Sequence, residues 1–81
     1  MNTEKIKRAV ELIDHDNVNP FGPMHITVED GNMDDGNLDF VESEMKKEGA
    51  SAEEWELLKL LREMEEIERD FVYFYAGRNY G

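Results

Sequence analysis

The densest run of potential metal ligands in the chain is Asp30-Gly31-Asn32-Met33-Asp34-Asp35-Gly36. Oxygen donors at alternate positions suit a calcium loop, which needs ligands at positions 1, 3, 5 and 12 and a glycine at position 6. Counting from Asp30 supplies the first three ligands, but puts Asp35 at position 6 and Val41 at position 12. Counting so that Gly36 falls at position 6 puts Gly31 and Met33 where ligands belong. Neither register makes an EF-hand, so the cluster offers at most weak, adventitious cation binding.

His15 and His25 stand on different expected elements, with only carboxylates to complete a coordination sphere. His25, among Pro23, Met24 and Ile26, is expected to be a half-buried structural residue. A hydrolytic triad would require Ser43 or Ser51 beside a histidine, but Ser43 reads as mid-helix and Ser51 as a helix cap. The chain has no cysteine, which excludes disulfides, thiolate catalysis and cysteine-based zinc sites. No glycine-rich phosphate loop is present. Without a convergent acid, base and nucleophile, neither an enzyme nor a cofactor is expected.

The elements that position these residues are mainly α: three helices, at about 3–15, 33–47 and 52–76, with an extended Pro/Gly connector over 16–32. In the first, Thr3 is the expected N-cap and Ile6, Ala9, Val10 and Ile13 recur on one face. The connector holds two prolines, Pro20 and Pro23, and Phe21 as a hydrophobic plug. Met24–Val28 alternates and is β-branched, the pattern of a short strand or an extended connector. Asn32 is the expected cap of the second helix, with Met33, Phe40, Val41 and Met45 as its stripe and Leu38 at the side. Lys46 and Lys47 suit its C-terminal dipole, and Gly49 ends it.

The third helix opens with a capping box, Ser51 and Glu54, and runs without proline or glycine to a stop at Gly77. Its length is about 37 Å. Leu57, Leu60, Met64, Ile67, Phe71 and Phe74 keep the 3-4 spacing of a heptad seam, widened by Leu58, Leu61 and Tyr75. Such a seam wants an antiparallel partner helix, in a hairpin within the chain or across a homodimer. Lys59–Glu63, Arg62–Glu66 and Glu65–Arg69 are the expected ion pairs along its polar side. The tail concentrates aromatics, with Tyr73 and Tyr80 as candidates for an exposed contact patch outside a plug of Phe71 and Phe74.

Eighty-one residues form a single domain, 1–81, with a thin core. No apolar run of membrane-spanning length occurs and the N-terminus lacks the pattern of a signal peptide, so a cytoplasmic location is expected. Net charge is −11, and residues 29–56 carry eleven acids against Lys46 and Lys47. That density repels nucleic acid and anionic membrane and steers toward basic surfaces, although acids also serve plain solubility.

The stretch Pro23-Met24-His25-Ile26-Thr27-Val28-Glu29-Asp30-Gly31-Asn32, followed by Asp35, Leu38 and Phe40, resembles small uncharacterised proteins of phages and integrated mobile elements. Where those proteins often have Cys after the phenylalanine, this chain has Val41. The resemblance implies a phage or prophage setting, in which small acidic proteins inhibit host machinery as DNA mimics or as blockers of basic grooves, the anti-CRISPR proteins among them.

The expectation is therefore a non-enzymatic, anti-CRISPR-like acidic inhibitor that occludes a basic protein surface, such as that of a nucleic-acid-binding host protein. Asp34, Asp35, Asp39, Glu42, Glu53, Glu54 and Glu56 are the expected contacts, joined by Tyr73 and Tyr80. The alternative is a structural or regulatory module acting through its apolar seam and aromatic tail.

Overall fold

In the computed structural model, which describes residues 2–14 and 18–80, the chain forms five helices among the described residues. They are α1 (Thr3–Asp14), α2 (Pro23–Asp30), α3 (Asp35–Glu48), α4 (Ala52–Glu63) and α5 (Glu66–Tyr80). The mainly helical class is as the sequence indicates, whereas the expected three helices become five. Two changes account for this: the connector contains a helix, and the long helix is broken.

The cap of α1 is Asn2 rather than Thr3, its Oδ1 accepting the Lys5 amide at 3.3 Å. Ile6, Ala9, Leu12 and Ile13 are buried along its inner face. His15 and the expected end of this helix lie outside the described residues.

Met24–Val28 is helical, not extended. Pro23 sits at the first position of α2, where a missing amide costs nothing, and Gly31 ends it in the left-handed conformation at φ 72°. The Gly31 amide bonds the Val28 carbonyl and the Asn32 amide bonds the Thr27 carbonyl, a Schellman closure. Met24, Thr27 and Val28 are buried at helical spacing, so tertiary packing overrides the β-branched preference. Phe21 is no plug; it is 88% exposed.

The cap of α3 is Asp34 rather than Asn32, and the helix starts at Asp35. Asp34 Oδ1 accepts the Asn37 amide at 2.8 Å. Leu38, Val41 and Met45 form its buried stripe, with Met33 buried just before the helix. Phe40, expected in that stripe, is 59% exposed, while Leu38 is fully buried. Phe40 and Val41 are consecutive, and the 100° rotation per residue puts only one of them on the core side.

The capping box of α4 is present: Ser51 Oγ accepts the Glu54 amide and Glu54 Oε1 accepts the Ser51 amide. The helix then stops at Met64, whose backbone is extended at φ −87° and ψ 152°, and a new helix begins at Glu66 and continues through Gly77. The two halves of the expected rod have different neighbours. α4 packs on α1 and α3, whereas α5 packs on α1 and α2. The heptad seam is accordingly split. Leu57 and Met64 are buried, but Ile67 is 56% and Phe74 50% exposed. In place of the expected pairs Lys59–Glu63, Arg62–Glu66 and Glu65–Arg69 stand cross-helix ones. Arg62 reaches Asp39, Arg69 reaches Asp35 and Glu63 reaches Lys5.

A candidate acidic and apolar interface

The turn between α4 and α5 is held by two adjacent residues, both buried. Glu68 lies in the first turn of α5 and closes back on the helix start, Oε1 accepting the Glu65 amide at 3.0 Å. Its other oxygen accepts the Asn2 amide at 2.7 Å, tying the start of α1 to α5. These two amides hold the Glu68 carboxyl below its ordinary pKa, since both favour the charged form. Arg69 faces the other way. It donates from Nε to the Leu61 carbonyl at 2.7 Å, from Nη1 to the Met33 carbonyl at 2.8 Å and from Nη2 to Asp35 at 2.8 Å.

Above Arg69 opens a cleft of about 570 Å³ between the Gly31–Asp35 turn and the start of α5. Asp34, Asp35, Glu65, Glu66 and Asp70 line it, all exposed, with Arg69 as the one base in its wall. Two helix N-termini, those of α3 and α5, meet there, and their dipoles offset part of this like-charge repulsion. The five carboxylates still outnumber the single guanidinium, so the cleft favours a cation.

Asp70 also lines a second depression of about 390 Å³ on the outer face of α5, formed with Ile67, Phe71, Tyr73 and Phe74. Apart from that carboxylate and the Tyr73 hydroxyl its wall is apolar. The aromatic rings order one another: Phe71 stacks on Tyr75 at 6.2 Å between centroids, and Phe74 meets Tyr75 edge-on at 5.6 Å. Tyr73, 45% exposed, lies against Gly31 on its other side. The acidic cleft and the apolar depression are thus neighbours along one helix.

The acids expected from sequence to form one contact surface divide into groups. Asp34 and Asp35 belong to this cleft, although Asp34 also caps α3 and Asp35 pairs with Arg69. Asp39 and Glu42 face Arg62, at 2.6 and 3.8 Å, which bridges α3 to α4. Glu54 is buried in its capping box. Glu56 forms a two-bond pair with Arg8 of α1, at 2.8 and 3.0 Å, which lowers the Glu56 pKa and raises that of Arg8. Glu53, half-exposed, stands in the first turn of α4. The Tyr80 side chain lies outside the described residues. Glu65, Glu66 and Asp70 were not among the expected contacts, because a continuous helix would have left no cleft for them to line.

The residues considered for catalysis have other partners. Within the Asp30–Gly36 run the Gly31 and Asn32 amides close α2, the Asp34 carboxylate caps α3, and the Met33 carbonyl and Asp35 carboxylate take Arg69. Asn37 Nδ2 bonds the Asn32 carbonyl at 2.6 Å and Thr27 Oγ1 at 3.1 Å, locking the same turn. His25, its side chain 14% exposed, sits 3.3 Å from Glu29 one helical turn away. No group of three His, Cys, Asp or Glu is placed to hold a metal ion among the described residues, and no helix there is long and apolar enough to cross a membrane.

No protein-family model matches the chain, and comparison with curated proteins and with solved structures gives no match.

Proposed function

We propose that the chain is a non-enzymatic binding protein whose contact face is the acidic cleft together with the apolar depression beside it. Its partner presents a basic segment with one apolar side, of the kind found where a larger protein grips nucleic acid. The observation that carries this reading is the contiguity of the two surfaces at Asp70. Lys or Arg side chains enter among Asp34, Asp35, Glu65, Glu66 and Asp70, while apolar groups cover Ile67, Phe71 and Phe74. Charge steers the encounter and sets partner choice, and the apolar contact slows dissociation. Covering a basic groove in this way would inhibit its owner by occlusion, in keeping with the phage setting implied by the resemblance of the Pro23–Asn32 stretch.

The test is amide chemical-shift mapping with a basic amphipathic helical peptide, beside a scrambled peptide of equal charge. Shifts concentrated at Asp34, Glu66, Asp70 and Phe71, and weakened by Asp70→Lys, support the reading. Equal responses to both peptides, or shifts centred on Glu53 and Glu56, sink it. Raising salt from roughly 50 to 500 mM should weaken but not abolish binding, because screening acts on the charges alone.

A further inference from the structure

We propose that α4 and α5 fuse into a single helix in an exchanged homodimer, and that a second copy of this chain covers the apolar stripe left open on α5. The dimer takes the same apolar stripe and straightens the hinge that shapes the cleft, so it and the complex with a basic partner are alternative states of the chain.

It begins with one missing hydrogen bond. In a continuous helix the Glu65 amide would bond the Leu61 carbonyl, four residues back. Here the Glu65 amide goes to the Glu68 carboxylate, while the Leu61 carbonyl takes the Arg69 Nε and, at 3.2 Å, the Met64 amide. Two side chains therefore hold apart the two halves of one helical bond. No helix-breaking residue is involved: Met64 and Glu65 are neither glycine nor proline, and both are competent helix residues.

The heptad register supplies the second argument. Leu57, Leu60, Met64, Ile67, Phe71 and Phe74 continue in phase across the break, yet Leu57 and Met64 are buried, Leu60 and Phe71 half-buried, and Ile67 and Phe74 exposed. Straightening the hinge restores one unbroken seam over residues 52–80, a rod of about 43 Å. The α5 of each copy then docks on α1 and α2 of the other, recreating contacts that a single chain makes with itself. Exchange of this kind costs little, because the interface is the same one and only the hinge differs. What the dimer adds is seam against seam, centred on Ile67 and Phe71. Two copies bring −11 each, so salt should favour this dimer, the opposite of its effect on a basic partner.

Exchange requires opening, so the protein is refolded from urea at about 1 mM and at about 10 µM, the range in which intermolecular pairing competes with folding, and examined by sedimentation velocity. A dimer formed at the higher concentration is expected, and Glu68→Gln should raise its fraction severalfold. Glu66→Pro should abolish it, because proline is tolerated at the first position of α5 yet forbids a continuous helix. Wild type and Glu68→Gln remaining monomeric at the higher concentration overturn the proposal, as does a dimer that persists in a folded Glu66→Pro. Should the proline variant not fold, spin labels at Lys59→Cys and Tyr75→Cys, in dimers diluted with unlabelled chain, read the same geometry. One straight helix separates those backbones by about 24 Å; a distance unchanged from the monomer overturns the exchange.

Discussion

Arg69 donates from Nε to the Leu61 carbonyl at 2.7 Å, eight residues back along the chain. That bond, with its companion to the Met33 carbonyl, satisfies two acceptors at the junction of three segments. Replacing Arg69 with Met keeps the aliphatic stem but takes the guanidinium donor from the Met33 carbonyl and leaves the Leu61 carbonyl with the Met64 amide alone. A loss of about 2–4 kcal/mol in urea unfolding is expected. Asp35, its side chain 79% exposed, contributes far less, and Asp35→Asn should cost under about 1 kcal/mol. Arg69→Met within experimental error of wild type would show that the guanidinium is not the pin described here.

Glu68 makes stability depend on pH. Its pKa is depressed in the folded state by the amides of Glu65 and Asn2. The contribution is therefore complete above the unfolded carboxyl value, about 4.3, and is lost as pH falls through the lower folded value. Glu68→Gln should lower the melting temperature at pH 7 and flatten its decline on the acid side. The Glu68 carboxyl carbon resonance should titrate below the ordinary glutamate midpoint; a midpoint above it contradicts the assignment.

Gly31 is fixed by conformation and by space. At φ 72° an L side chain is strained, and a Cβ there would lie 3.1 Å from the Tyr73 ring. Gly31→Ala is expected to cost about 1–2 kcal/mol. Adding Tyr73→Ala should remove the steric part and leave the conformational one, so the two changes should be non-additive in a denaturant cycle. Strict additivity would mean that the ring moves aside freely.

Three apolar residues in and before α2 and α3 make a sharp contrast. Leu38→Ala should cost about 2–4 kcal/mol, as a fully buried side chain leaves a cavity. Phe21→Ser and Phe40→Ser should each change stability by no more than about 0.5 kcal/mol, since both rings are mostly exposed. A large effect at Phe40 would place it in the core where the sequence pattern puts it.

Much of the fold was legible where signals are local. The Ser51–Glu54 capping box and the Gly49 stop are read from adjacent residues and occur as expected. The sequence misled where distant partners decide. The break at Met64 depends on Asn2 and Met33 reaching Glu68 and Arg69, and no periodicity within residues 52–76 encodes that. The helix at Pro23–Asp30 was readable in principle, since a proline and a glycine bracket Met24, Thr27 and Val28 at helical spacing, but the β-branched run outweighed them. The candidate site inherits the same limit: Asp34 and Asp35 stand out in any charge profile, whereas Glu65, Glu66 and Asp70 join them only once the helix bends.

Helix α1 packs most extensively on α5, and the Asn2 amide is held by Glu68. During synthesis α1 must therefore wait for α5. Until α5 has emerged, Ile6, Leu12 and Ile13 lack much of their cover, and the growing chain holds an apolar face open to chaperones and proteases. A message truncated ahead of α5 would yield a product removed by quality control rather than a weaker version of the protein.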